Sequence, residues 1–169
     1  MSPRIVLIGP MGAGKSTVGS QLAQQLNLDF ADTDQLIESD QGKSVSEIFI
    51  EDGEAHFRLV EESIVIDALR DQMGVLSLGG GSVMNEEVQK VLSNFEGKKV
   101  FLDISLAAVA SRVGFDTARP LLMVNPRQKW SELMSNRRAT YETLADVKID
   151  VSDMSVDQVV SKIILEVNA

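Results

Sequence analysis

The sequence predicts an α/β protein, a parallel sheet covered by helices on both faces. Three observations carry that prediction. Short apolar runs alternate with helical patterns along the chain, and such alternation builds parallel sheets because each crossover returns through a helix. The runs are nearly continuous in apolar character, as in Ile5-Val6-Leu7-Ile8, which marks strands buried on both faces. No repeat, low-complexity tract or dividing linker interrupts the 169 residues, 44% of which are apolar. A length of roughly 100–200 residues suits one domain with its own core, so residues 1–169 are read as a single domain.

The elements follow in order. Arg4–Ile8 is the first strand, and Thr17–Leu26 is a helix with Val18, Leu22 and Leu26 at helical spacing. Asp29–Ala31 is a weaker strand, followed by a short helical segment over Gln35–Asp40. Glu54–Arg70 carries Phe57, Val60, Ile64 and Ala68 on one helical face. Val75–Leu78, Lys99–Leu102 and Val147–Val151 are the remaining strands. Gly114–Pro126 lacks periodicity and holds Gly114, Pro120 and Pro126, so it reads as a loop of lid type. The last helix shows the clearest stripe, with Val156, Val159, Val160, Ile163, Ile164 and Val167, and Ser155 is placed to cap it. Core packing explains that stripe.

Composition excludes several functions. There is no cysteine, which removes disulfides, thiolate metal sites and cysteine nucleophiles, and the single His56 cannot build a histidine cluster. The 16 Lys and Arg against 25 Asp and Glu give a net charge of −9. A surface of that sign repels nucleic acid and anionic lipid, so neither is expected as a partner. No segment reaches the roughly 18 apolar residues of a membrane span. The expected location is the cytoplasm.

In open parallel sheets, ligands sit beyond the carboxyl ends of the strands. After the first strand, Gly9-Pro10-Met11-Gly12-Ala13-Gly14-Lys15-Ser16 matches G-x-x-x-x-G-K-[ST] between a predicted strand and a predicted helix. Glycines let backbone N–H groups converge on phosphate oxygens, and the helix N-terminus adds partial positive charge. Lys15 can then reach the terminal phosphates and the Ser16 hydroxyl can hold Mg²⁺. The Asn/Thr-Lys-x-Asp motif that reads guanine is absent, and the short chain favours a small-molecule kinase over a motor.

Asp32-Thr33-Asp34 follows the second strand. Its two carboxylates suit Mg²⁺ and a substrate hydroxyl, or else Thr33 or Asp34 is a helix N-cap. Gly79-Gly80-Gly81 follows the third strand and suits either close approach of a ligand or a flexible turn. Arg58, with Glu61 and Glu62 three and four residues on, is either an anion ligand or a surface ion pair. Arg112, Arg119, Arg137 and Arg138 are solvated charges or, beside a phosphate loop and a lid, stabilisers of phosphoryl charge. His56, Trp130 and Tyr141 are read as structural.

Together the ordered motifs Gly9–Ser16, Asp32-Thr33-Asp34, Phe57-Arg58-x-x-Glu61, Ser77-Leu78-Gly79-Gly80-Gly81, Arg119-Pro120-Leu121 and Arg137-x-x-x-Tyr141 resemble shikimate kinases over nearly the whole chain. The resemblance implies a three-layer P-loop fold like that of nucleoside monophosphate kinases, with a five-stranded parallel sheet. It implies transfer of phosphate from ATP to the 3-hydroxyl of shikimate, with one Mg²⁺ per ATP. The substrate region would span about residues 33–61 and the lid about 114–126. Asp34, Phe49, Phe57, Arg58, Glu61, Gly79, Gly80, Gly81 and Arg137 would form the shikimate pocket. The two arginines would meet the carboxylate and Asp34 the ring hydroxyls. Gly12, Ala13, Gly14, Lys15, Ser16 and Thr17 would hold the phosphates. Arg112 would stack on adenine, Arg119 would share the charge stabilisation with Lys15, and Ser16 with Asp32 would hold the metal. Arg138 competes with Arg137 for the carboxylate, and no side chain after Val151 stands out as an adenine contact. Gluconate kinase, with the same fold and loop, is the nearest rival. A silent nucleotide-binding module is the rival of another class, and the intact Lys15, Asp34 and Arg119 speak against it. No unexplained apolar stripe asks for a second copy, so a monomer is expected.

Overall fold

The computed structural model describes residues 2–112 and 125–169. Five strands, β1 (Ile5–Ile8), β2 (Phe30–Asp32), β3 (Val75–Ser77), β4 (Lys98–Asp103) and β5 (Val147–Asp150), form one sheet in the order β2-β3-β1-β4-β5. Every neighbouring pair is parallel. Each strand end lies within one residue of its predicted place. All four residues of β1 are buried, as befits the middle of the sheet.

Eight helices connect and cover the described strands: α1 (Lys15–Leu26), α2 (Thr33–Gln41), α3 (Val45–Glu51), α4 (Glu54–Asp71), α5 (Glu86–Ser93), α6 (Leu106–Arg112), α7 (Pro126–Leu144) and α8 (Val156–Val167). A short 3-10 turn, Ser82–Met84, precedes α5. From β1 the chain crosses to the edge at β2, then steps back through β3 to β4 and β5. Right-handed crossovers then place α1 on one face and α4, α5 and α7 on the other. The packing agrees, with α1 against α8 and α5 against both α4 and α7. The reversal of direction at β1 opens a crevice beyond its carboxyl end.

The helix boundaries correct several expectations. α1 starts at Lys15, two residues before the predicted Thr17, so Lys15 and Ser16 belong to its first turn. α2 runs from Thr33 to Gln41, longer than Gln35–Asp40, and its N-cap is Asp32, not Thr33 or Asp34. Asp32 ends β2 in extended conformation and its side chain accepts from the Asp34 and Gln35 amides. One residue therefore closes the strand and opens the helix. α3 and α5 are seven and eight residues long, too short for periodicity to reveal. Each carries a cap instead: a Ser44/Glu47 capping box and the Asn85 side chain. Ser155 caps α8 as expected, in a box with Gln158. Pro126, read as the end of the lid, is the first residue of α7. Residues 114–124 of the expected lid, with Arg119, lie outside the described residues.

The main core gathers the strands with α1, α5, α7 and α8. The α8 stripe packs into it, with Val159, Val160 and Ile163 buried. A second, smaller core of Ile37, Ile48 and Phe57, with Val45, Phe49, Val60 and Ile64 against it, joins α2, α3 and α4. That satellite core shapes residues 33–61 into a unit beside the crevice.

Candidate active site

The phosphate loop is built almost wholly from backbone. Gly14, at φ 88°, is the N-cap of α1 and offers no side-chain acceptor. The N-terminus of α1 therefore opens on the loop mouth with no capping side chain in the way, the arrangement that suits anions. The Lys15 ammonium arches back over the loop and donates to the Gly9 and Pro10 carbonyls at 2.8 and 3.0 Å. The Ser16 hydroxyl donates to the Asp32 carboxylate. Asp32 thus has one oxygen committed to the α2 cap and the other turned toward Ser16.

A cavity of about 250 Å³ lies over this loop, lined by Met11, Gly12 and residues 14–17 with Asp32, Asp34, Gly79 and Gly80. Beside it opens a second cavity of about 530 Å³ that contains Phe49, Phe57, Arg58, Glu61, Gly81 and Arg137. Met11, Asp34, Gly79 and Gly80 line both. Asp34 therefore stands where one cavity passes into the other.

The larger pocket gathers buried charge. Glu61 is buried and accepts from Arg58 Nη1 at 2.7 Å. The pair is not the surface bridge that sequence spacing also allowed, because the Glu61 side chain is only 5% exposed. Arg58 also lies over the Phe57 ring at 5.2 Å, and Phe57 packs on Phe49 at 4.7 Å between centroids. Arg137 is buried and reaches the pocket from α7. The adjacent Arg138 points elsewhere: it holds Asp103 through two hydrogen bonds of 2.8 and 3.1 Å.

The three glycines are the floor under these groups. A Cβ on Gly79 would stand 2.8 Å from Asp34 Oδ1 and 3.1 Å from Glu61 Oε2. On Gly81 it would stand 2.8 Å from both terminal nitrogens of Arg58 and 2.9 Å from Arg137 Nη2. Two guanidiniums converge over Gly81 only because nothing projects from it. The loop is also tethered: Gly79 N–H donates to Thr33 Oγ1, Ser82 Oγ donates to the Gly79 carbonyl, and Tyr141 Oη donates to the Gly80 carbonyl.

Burial and like charge govern protonation here. Burial, then the neighbouring Asp32 and Glu61 carboxylates, push Asp34 up to about 6, against the pull of Lys15. Burial likewise raises Glu61 despite its Arg58 partner. Burial pushes the Tyr141 phenol up to about 12, so it is a neutral donor at any working pH.

Some predicted residues sit apart from these cavities. Arg112, at the end of α6, donates to the Val151, Ser152 and Met154 carbonyls of the loop after β5. It thereby joins α6 to that loop. His56 is exposed on α4, with Nε2 3.1 Å from Gln41 Oε1. Trp130 and Tyr141 pack as expected, but each also carries a polar bond that spacing did not reveal. Trp130 Nε1 donates to the Met11 carbonyl at 2.9 Å, and Tyr141 Oη to Gly80 at 2.5 Å. Their partners are 119 and 61 residues away in sequence, so no local signal could have found them.

A phosphate loop that shares a wall with a pocket for a small carboxylate describes a P-loop kinase acting on a small hydroxylated acid. Comparison with known proteins gives the particular family. The family model for shikimate kinase matches residues 11–168. A shikimate kinase of Rhodococcus jostii is 43% identical over 97% of this chain and 97% of its own. One from Thermobifida fusca is 43% identical over 99% of this chain and 96% of its own. Among solved structures, shikimate kinase from Acinetobacter baumannii in complex with shikimate superposes with a TM-score of 0.94 at 33% identity, covering 99% of this chain and 94% of that one. The chain belongs to the shikimate kinase family. A gluconokinase from Sinorhizobium meliloti, with a TM-score of 0.59 at 18% identity over 98% of this chain and 91% of that one, shares the fold alone.

Proposed function

We propose that this chain transfers the γ-phosphoryl group of ATP to the 3-hydroxyl of shikimate, giving 3-phosphoshikimate and ADP. The observation that carries the reading is the shared wall: Asp34 borders both the phosphate cavity and the pocket holding Arg58 and Arg137. An acceptor whose carboxylate is gripped by two guanidiniums presents its hydroxyls toward Asp34 and the phosphate loop. Planar guanidiniums suit a carboxylate through paired, charge-assisted hydrogen bonds. Asp34 accepts and orients the attacking hydroxyl, and positioning with charge stabilisation does the rest of the work. Gly12, Ala13, Gly14 and Thr17 cradle the phosphates while Lys15 and Arg119 meet their charge. Phe49 and Phe57 wall the ring, and Glu61 holds Arg58 in line.

Ser16 and Asp32 suit Mg²⁺, because hard oxygen donors beside a phosphate site are what that ion takes. Among the described residues no group of three or more His, Cys, Asp or Glu could hold a metal, which fits an ion completed by nucleotide phosphates and water. When bound, the ion neutralises charge on the transferring phosphate. Arg112, fixed to the loop after β5, stacks on the adenine in this reading. The exposed large apolar side chains Ile50, Leu59, Met73, Met84 and Leu165 lie on five separate segments, which supports a monomer. No helix among the described residues is long and apolar enough to cross a membrane, and use of ATP supports a cytoplasmic site of action.

The test is ADP release from Mg-ATP with shikimate, gluconate or no acceptor. Dependence on shikimate alone is expected. Dependence on gluconate would keep the phosphate loop and overturn the arginine assignments. Nucleotide binding without stimulation by either would point to the silent module.

A further inference from the structure

The glycine floor poses a mechanical problem. Gly81 must lack a side chain so that Arg58 and Arg137 can close over it, and Gly79 so that Asp34 and Glu61 can stand above it, yet a chain of glycines is the backbone most costly to hold in one conformation. It has no side chain of its own to pack. Its order must come from other elements, through its amides and carbonyls.

Three elements supply that order. Thr33 of α2 takes the Gly79 N–H at 3.1 Å, and Ser82 takes the Gly79 carbonyl at 2.7 Å. The third tether is Tyr141 of α7, whose hydroxyl donates to the Gly80 carbonyl at 2.5 Å. Tyr141 differs from the other two in what else it touches. Its hydroxyl also lies within reach of the Arg137 positive charge, and Arg137 Nη1 would stand 3.4 Å from a Cβ on that same Gly80. The Tyr141 hydroxyl therefore holds the floor of the pocket directly beneath one of the two cations above it.

Packing alone does not explain this residue. Tyr141 is fully buried and its ring stacks on Phe101 at 5.0 Å and 28°. A phenylalanine would fill the same space without a polar atom to desolvate. Instead a phenol, kept neutral by burial, is directed at the glycine loop. Tyr141 also shares its helical stripe with Arg137, one turn earlier, and both are buried. α7 thus brings the cation and its spacer to the pocket as one rigid unit.

We propose that Tyr141 is a positioning residue for the substrate carboxylate: its hydroxyl fixes the distance between Gly80 and Arg137 and so presets the gap into which the carboxylate fits. This rests on the shikimate reading above. The bond does not touch the reacting atoms. Its effect is therefore on acceptor binding, and specifically on the carboxylate.

The experiment is Tyr141→Phe in the full chain, compared with wild type for steady-state turnover of shikimate and of shikimate methyl ester with Mg-ATP. Melting temperature is measured alongside. A second variant, Phe101→Leu, disturbs the ring stacking and leaves the hydroxyl. Tyr141→Phe is expected to raise the KM for shikimate about 3- to 10-fold, the scale of one hydrogen bond, with the ATP KM within about twofold. The preference for acid over ester should shrink by a similar factor. Phe101→Leu should lower the melting temperature with no change in that preference. An unchanged shikimate KM in Tyr141→Phe, or equal losses for acid and ester, overturns the inference and leaves a packing role. A matching loss of acid preference in Phe101→Leu overturns it too. A wild-type protein without shikimate-dependent turnover overturns the functional reading itself, and this inference with it.

Discussion

The phosphate loop is one stretch of eight residues, Gly9–Ser16, whereas the acid pocket draws its polar groups from α2, α4, the glycines after β3 and α7. The loop binds through backbone amides at a helix start and holds a single cation, Lys15. The pocket is lined by charged side chains from separate elements, of which Glu61 and Arg137 are both under 10% exposed. A backbone site is set by local conformation and tolerates changes in its surroundings. A side-chain site depends on every element that positions it, and many distant substitutions should disturb it. The same contrast separates what each cavity does. On the proposed reading, one holds a group common to all nucleotides, and the other chooses the acceptor.

The largest expected effect falls on the loop. Lys15→Met removes the cation aimed at the transferring phosphate, and kcat should fall about 10³-fold, the upper range for loss of one electrostatic donor. The acceptor pocket does not include Lys15, so shikimate binding by calorimetry should be nearly unchanged. Near-normal kcat in this variant would separate the loop from the chemistry.

Asp34, at the junction, should behave differently from either side. Asp34→Asn should lower kcat about 10²-fold through loss of the hydroxyl acceptor. It should also stabilise the protein. With its carboxyl raised from 3.8 to about 6, folded Asp34 keeps a proton that the unfolded chain has released between those values. Stability from this group is therefore full below pH 3.8, falls as pH rises to about 6, and stays low above. Without nucleotide or metal, Asp34→Asn should gain about 1–3 kcal/mol at pH 7.5, with the gain vanishing near pH 4. Denaturant titrations at both values check this. A variant less stable at pH 7.5 would mean that the ionised carboxylate is satisfied in the fold.

This contrast also explains what was legible beforehand. The phosphate loop could be read because its function lies in contiguous glycines between a strand and a helix. The central strands were legible within a residue because two-sided burial leaves unbroken apolar runs such as Ile5–Ile8, while the edge strand β5 alternates. Asp32-Thr33-Asp34 was harder, since three successive residues can each cap a helix. Only the conformation of Asp32 at the end of β2 decides which does. Arg137 and Arg138 are identical in type and adjacent, and the choice between them depends on Asp103, 35 residues from Arg138. Tyr141 read as a core aromatic because a ring and its spacing announce packing, and the partner of its hydroxyl is a tertiary fact.

Within the pocket, Arg137→Ala should raise the shikimate KM about 30-fold or more, the effect of truncating one partner of a buried charged pair. The ATP KM should change little. Gly81→Ala is a subtler probe of the same cations. The Gly81 backbone, at φ −93° and ψ −8°, accepts alanine without strain. The atoms nearest the new methyl would be the ends of Arg58 and Arg137, on flexible side chains that can give way. Stability should therefore hold while the shikimate kcat/KM falls about 10-fold, as expected for small misplacement of binding groups. A loss of stability with unchanged kcat/KM would mean that the two guanidiniums do not depend on the floor beneath them.

The smallest effect is expected at Arg138, and it tests whether adjacent arginines have separate tasks. Arg138 bonds Asp103 with both terminal nitrogens and lies 3.6 Å from Glu142, while Lys148 reaches both acids. This network ties α7 to the ends of β4 and β5. Arg138 is 39% exposed, so solvent screens much of the attraction, and the Asp103 hydrogen bonds raise its affinity for a proton without bearing on substrate. Arg138→Ala should cost about 1 kcal/mol of stability. The shikimate KM should stay within about twofold, against the much larger change for Arg137→Ala. Side-by-side kinetics and denaturation of the two variants decide the matter. If Arg138→Ala raised the KM as far as Arg137→Ala, the α7 stripe would not be what assigns one arginine to the substrate and its neighbour to the scaffold.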